Sequence, residues 1–148
     1  MYLVATDTPL EISQDFDLTN PYRVHIKTIA VWLLLNDPTP GSTLKLTIRG
    51  IDDSEIYSET KTIAEIKTTI GATQAYAHGK YIWEPASEVR LGRGVYSICL
   101  EQTNGYSFTN FIAWCKDWES TYYPTASAGD WEDPYYVRLY DHEAREIA

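Results

Sequence analysis

The feature that most restricts how this chain can fold is a two-residue alternation of apolar and polar side chains. In TLKLTIR, Leu44, Leu46 and Ile48 fall on one side and Lys45, Thr47 and Arg49 on the other. Successive side chains of an extended strand point to opposite faces, so the pattern describes a strand with one face in a core and one toward water. GVYSICLEQ repeats it with Tyr96, Ile98 and Leu100 opposite Ser97, Cys99 and Glu101, and YYVRLYD with Val137 and Leu139 opposite Arg138 and Tyr140. VHIKTIAVWLLL starts in the same way at Val24, Ile26 and Thr28, then turns apolar on both faces. That change describes a strand passing from a half-exposed position to one covered on both sides. In KYIW, Tyr81 and Trp83 alternate with Lys80 and Ile82, which places the two aromatics in the core of an opposing sheet.

Turn signals separate these segments at short intervals: NDPTPGS (Asn36 to Ser42), GIDDSE, EPASE, LGRG and QTNGYS. The Pro-Gly turn is expected to close a hairpin between Ile29–Leu35 and Leu44–Ile48. Asn104-Gly105, whose residues tolerate positive φ, is expected to join strands 95–102 and 108–116 and so to bring Cys99 near Cys115. Two half-buried thiols are the plainer reading of that pair. Helical signals are sparse. TIAEIKTTI has the spacing for one or two turns, but its Thr and Ile residues favour strand. DHEAREIA has helix formers behind a capping Asp. Many short strands with Pro/Gly turns and little helix imply an all-β, antiparallel β-sandwich, and among sandwiches a jelly roll.

Length and charge narrow the rest. A chain of 148 residues, 44% hydrophobic and 22% charged, suits one globular domain, and no repeat or linker divides it. The expected organisation is a single domain over 1–148, with docking arms at 1–8 and 141–148. The formal net charge is −9 and the basic residues form no run, so no nucleic-acid partner is expected. The longest apolar run, Ile29 to Leu35, falls far short of the roughly 20 residues that cross a bilayer, and no membrane insertion is expected. The N-terminal stretch lacks the basic and apolar regions of a secretion signal, which points to synthesis in the cytoplasm.

Catalytic signals are weak. His25, His78 and His142 are scattered without zinc-type spacing, and no nucleophile elbow, P-loop or dinucleotide fingerprint occurs. Asp52 with Asp53, and Asp130 with Glu132 and Asp133, have the oxygen chemistry of a calcium site without an EF-hand pattern. Acidic turn residues that cap and solvate explain them as well. The expectation is a protein that is not an enzyme and holds neither metal nor cofactor.

The C-terminal quarter carries the recognition chemistry. From Phe111 onward there are nine aromatic residues, and from Asp117 onward eight acidic residues against Arg138 and Arg145, a local charge of −6. FIAWCK reads as a strand with Phe111, Ala113 and Cys115 on one face and Ile112, Trp114 and Lys116 on the other, so one of Phe111 and Trp114 is expected in the core. Trp118, Tyr122, Tyr123 and Trp131 lie beyond it among small polar residues, beside Asp117 and Asp130. Such rings and carboxylates suit stacking on sugar faces, anchoring of a protein interface, or a loop that closes the end of the sandwich.

Several pieces stand in a characteristic order: QDF, then IAVWLLLNDPTPGSTLKLTI, then KYIWEPASEVRLGRGVYSICLEQ, then AWCKD, and finally YYVRLYD. Over residues 12–140 this arrangement resembles the carbohydrate-binding-module-like jelly rolls of tailed-phage virion structural proteins. The resemblance implies a galactose-binding-like jelly roll whose inner aromatics match at Tyr81 and Trp83. It also implies a virion component: a head-decoration, fibre or tail-associated subunit that assembles with itself and with neighbouring capsid or tail proteins. The alternative it implies is a glycan-binding module that uses Trp118, Tyr122, Tyr123 and Trp131 as platform and Asp117 or Asp130 as hydroxyl acceptors.

Overall fold

A computed structural model describes residues 12–38, 40–71, 76–104, 110–114 and 137–148. Along them run β1 (Ile12–Leu18), β2 (Val24–Asn36), β3 (Thr43–Gly50), β4 (Glu55–Thr62), α1 (Ile63–Ile70), β5 (Tyr76–Trp83), β6 (Val89–Leu91), β7 (Gly94–Asn104), β8 (Phe111–Trp114) and β9 (Val137–Asp141). Every pairing among the described residues is antiparallel. One sheet has the order β1-β7-β3-β4. The other is built around β2, with β5 and β6 along one of its edges and β8 and β9 along the other.

The alternating residues meet between the sheets. Leu44, Leu46, Ile48, Ile98 and Leu100 from the first sheet pack on Ile29, Val31, Leu33, Tyr81, Trp83 and Leu139 from the second in one buried cluster. The chain is an all-β sandwich. β2 is covered on both faces, as its composition requires: Ala30 and Trp32, on the face away from this core, are also buried, with Leu34, Ile82 and Tyr140 against them. In β8 both Phe111 and Trp114 are buried, although the alternation required only one of them to be.

Neither expected hairpin forms. β2 and β3 lie in different sheets, and the segment between them, with positive φ at Asp37 and Gly41, carries the chain from one sheet to the other. β7 pairs with β1 and β3, whereas β8 pairs with β2, so the strands flanking Asn104 are not partners. Turn chemistry reverses the chain but does not choose the sheet it returns to. β2 is paired along both edges as the central strand of its own sheet, which leaves no edge for β3. The register that would set Cys99 opposite Cys115 is therefore absent: Cys99 is buried opposite Ser13 and Thr47, and Cys115 lies outside the described residues.

The segment from Thr62 is a helix because its ends are capped. The Thr62 hydroxyl accepts from the Glu65 N–H (3.3 Å), and Glu65 Oε1 accepts from the Thr62 N–H (3.2 Å), a reciprocal capping box. Gly71, at φ 81°, closes the other end by donating to the Lys67 carbonyl at 2.9 Å. The C-terminal segment does the reverse. Asp141 Oδ1 accepts from the N–H groups of Glu143 and Arg145, both at 2.9 Å, which closes a turn with Ala144 at φ 62° instead of starting a helix. Ile147 then donates to the Leu139 carbonyl, and the Leu139 N–H donates to Ala148, each at 2.8 Å. The tail thus lies along β9, with Ile147 against the core.

Candidate functional site

β4 departs from the pattern of its neighbours. Tyr57, Glu59 and Lys61 stand opposite Ile48, Leu46 and Leu44 of β3 and so share the inward face of the sheet, while Ile56 is turned out and exposed. β4 ends the first sheet and β5 ends the second among the described residues, so these three side chains line the seam between two sheet edges. Glu59 organises it. Its carboxylate accepts from the Tyr57 hydroxyl, from Lys61 Nζ at 2.8 Å, and from the Ala86 N–H at 3.0 Å in the loop between β5 and β6. Glu59 therefore ties one sheet's edge to the other's. Burial by itself would raise its carboxyl, but hydrogen bonds from Lys61, Tyr57 and Ala86 outweigh that and hold its pKa at about 2. The bond to Glu59 in turn raises Lys61, and burial together with Glu59 raises the Tyr57 phenol.

The Glu59–Ala86 bond separates two openings. The smaller, about 300 Å³, lies by Arg23, Ile56, Tyr57, Glu88 and Arg90. There Glu88 pairs with Arg90, and Arg23 donates to the Arg90 carbonyl at 3.1 Å. The larger, about 630 Å³, lies between α1, β4 and β5 and is lined by Lys61, Glu65, Thr69, Tyr81, Ile82 and Glu84. Tyr81 is the deepest of these. Its residue is 3% exposed and its ring packs edge-on against Trp83, with centroids 5.6 Å apart. Burial, and then the charges of Glu65, Glu59 and Glu84, push its phenol up to about 12. Glu59 and Tyr81 each hold one protonation state around neutral pH, whereas proton transfer in catalysis favours a pKa near the working pH. The cleft offers fixed charges and hydrogen-bonding groups.

α1 is placed on this cleft by a missing side chain. A Cβ on Gly79 of β5 would lie 2.6 Å from Ile70 Cγ2, so only glycine lets the last turn of the helix come down on the strand. Lys61 and Glu65 are then neighbours across the start of the helix, 3.8 Å apart.

The residues singled out in the sequence fall elsewhere. Asp117, Trp118, Tyr122, Tyr123, Asp130 and Trp131 lie outside the described residues, as do Glu132 and Asp133. Asp52 closes the β3–β4 turn by accepting from the Ser54 N–H (3.1 Å) and hydroxyl (2.6 Å), bonds that hold its carboxyl below the ordinary value. Asp53 stands 3.9 Å from Arg49. Among the described residues, no three His, Cys, Asp or Glu side chains converge as a metal site. His25 and His142, far apart in sequence, are stacked with ring centroids 5.8 Å apart, and His78 falls in β5. Glu59, Lys61 and Glu84 carried no sequence signal of their own, and Tyr81 was legible only as a core aromatic. The trace that could have found Glu59 and Lys61 is EIYSETKT, where the face shared by Tyr57, Glu59 and Lys61 is polar beside a strand whose matching face is wholly apolar.

Compared with known proteins, the chain matches no family model, and no curated relative is found.

Proposed function

We propose that this protein is a non-enzymatic assembly module, a structural component of a tailed-phage virion that docks on neighbouring virion proteins and on copies of itself. The observation that carries the reading is the β3–β4 hairpin. It turns Ile51 and Ile56 outward, 86% and 44% exposed, while the polar residues of β4 face inward. Large apolar side chains turned to water on one hairpin supply apolar surface that a protein contact would bury. The resemblance of residues 12–140 to virion jelly rolls supports the same role. The test is size-exclusion chromatography of the chain alone and mixed with capsid or tail proteins. Co-elution that is lost on Ile51→Asp with Ile56→Asp is expected, and a strict monomer that joins no virion protein sinks the reading.

A glycan-binding role is the second reading, favoured by the aromatic and acidic composition of residues 111–136. Its platform would be Trp118, Tyr122, Tyr123 and Trp131, with Asp117 or Asp130 accepting from hydroxyls. Screening on a glycan array decides it: binding that survives both Trp118→Ala and Trp131→Ala removes that platform.

A further inference from the structure

We propose that the cleft between α1, β4 and β5 is the seat of a basic side chain, an arginine or lysine presented by a protein partner. This deepens the assembly reading and rests on it for the source of the side chain. Two independent observations meet in the cleft. The first is charge. Among the described residues of the cleft, Glu59, Glu65 and Glu84 stand around one cation, Lys61, which Glu59 holds at 2.8 Å while Glu65 stands 3.8 Å away. Glu84 is exposed on the rim and makes no hydrogen bond or ion pair with the described residues. Once Lys61 is neutralised by Glu59, two negative charges remain, that of Glu65, whose Oε1 already accepts from the Thr62 cap, and that of Glu84.

The second is Tyr81. It is buried, it lines the cleft, and its hydroxyl has no hydrogen-bond partner among the described residues. The ring is buried, but the hydroxyl is not among the buried unpartnered atoms, so it opens to the cleft, where water holds its hydrogen bonds until a guest displaces it. A phenol oxygen has lone pairs that accept from a guanidinium or ammonium N–H. With Glu84 on the rim, Tyr81 at depth and the Thr69 hydroxyl on the helix, the cleft provides acceptors on more than one side of a planar, multi-donor cation. Ile82 and Ala64 offer apolar surface for its methylene stem. A neutral sugar would use the hydroxyl-bonding groups but leave the surplus charge unanswered.

The experiment is an NMR titration of the whole chain with acetyl-Gly-Arg-Gly-amide. Acetyl-Gly-Gln-Gly-amide and methyl glucoside serve as matched probes. The Arg peptide is expected to shift the amides of Thr69, Ile82 and Glu84 with millimolar affinity, and added salt to weaken it. Glu84→Gln, a rim change that leaves the core untouched, is expected to weaken it about fivefold to tenfold, and Tyr81→Phe, which keeps the buried ring, by a similar factor. Equal shifts with the Gln peptide, a response to the glucoside alone, or no shift in these amides at about 20 mM Arg peptide overturns the proposal. Co-assembly with virion proteins that persists unchanged in Glu84→Gln also overturns it while leaving the assembly reading standing. Intact peptide binding in a chain that never co-assembles overturns only the assembly reading.

Discussion

Glu59 is the residue on which the seam depends, and its chemistry sets a pH dependence. Its folded-state pKa of about 2 lies below the ordinary 4.5, so the unfolded chain takes up the proton first as the solution is acidified. The resulting stability is fully present above about pH 4.5 and is lost as the pH falls through about 2. The side chain is 15% exposed, and solvent in the cleft screens the contribution to about 1–2 kcal/mol at neutral pH. Glu59→Gln keeps an acceptor for the Ala86 N–H but removes the charge that pairs with Lys61. Urea denaturation is expected to show the variant less stable by about that amount near pH 7, with the gap closing as both proteins approach pH 2. A gap of constant size from pH 7 to pH 2 would mean that Glu59 acts through shape alone. Trp83 is a different case at the same scale: its indole N–H is buried with no partner.

At the scale of elements, α1 shows what local sequence can and cannot reveal. The capping box at Thr62 and Glu65 was there to be read, yet the Thr and Ile content of TIAEIKTTI argued for strand. Capping prevailed because Ile63 and Ile66 also find the core. Thr62→Ala is expected to cost about 1 kcal/mol in thermal or urea unfolding, since it removes the acceptor for the Glu65 N–H. Gly79→Ala should cost more, about 1–3 kcal/mol, because its Cβ would meet Ile70 at 2.6 Å and push the helix off β5. Pairing it with Ile70→Ala tests the cause. If the contact is responsible, the double variant is more stable than the sum of the two single losses predicts.

The same elements mark the boundary of what was legible. Strand identity and most of the facing were written in the alternation, which is local, so Leu44, Leu46, Ile48, Tyr81, Trp83, Val137 and Leu139 fall where their patterns put them, whereas Thr47 and Cys99, on the face read as turned to water, are buried. Strand partnership was not, because the turns at Asn36–Ser42 and at Asn104 look the same whether the chain returns to its own sheet or crosses to the other. The cleft was hidden for a related reason. Glu59, Tyr81 and Glu84 become neighbours only once the edges of two different sheets are known to face one another.

At the scale of the molecule, the sandwich has strand edges that must be closed or used, since unpaired edge groups invite pairing with other chains. The edges of β4 and β5 meet at the seam, where α1 and the Glu59–Ala86 bond join them. The free side of β9 is closed by the chain itself. Residues 146–148 pair along Leu139 and Tyr140, held by the Asp141 turn, whose N–H bonds from Arg145 and Glu143 keep the Asp141 carboxyl below its ordinary value. A deletion of residues 142–148 would remove two backbone hydrogen bonds to Leu139 and the packing of Ile147, a loss of about 1–3 kcal/mol. It would also leave β9 with an open edge. The expected outcome is a lower unfolding midpoint together with concentration-dependent self-association in sedimentation velocity. A destabilised chain that stays monomeric would show that the tail only stiffens β9, whereas self-association at unchanged stability would make edge closure its main role. Asp141→Ala separates the two without shortening the chain. It opens the turn but keeps Ile147 in place to pair, so its stability loss should exceed its tendency to associate.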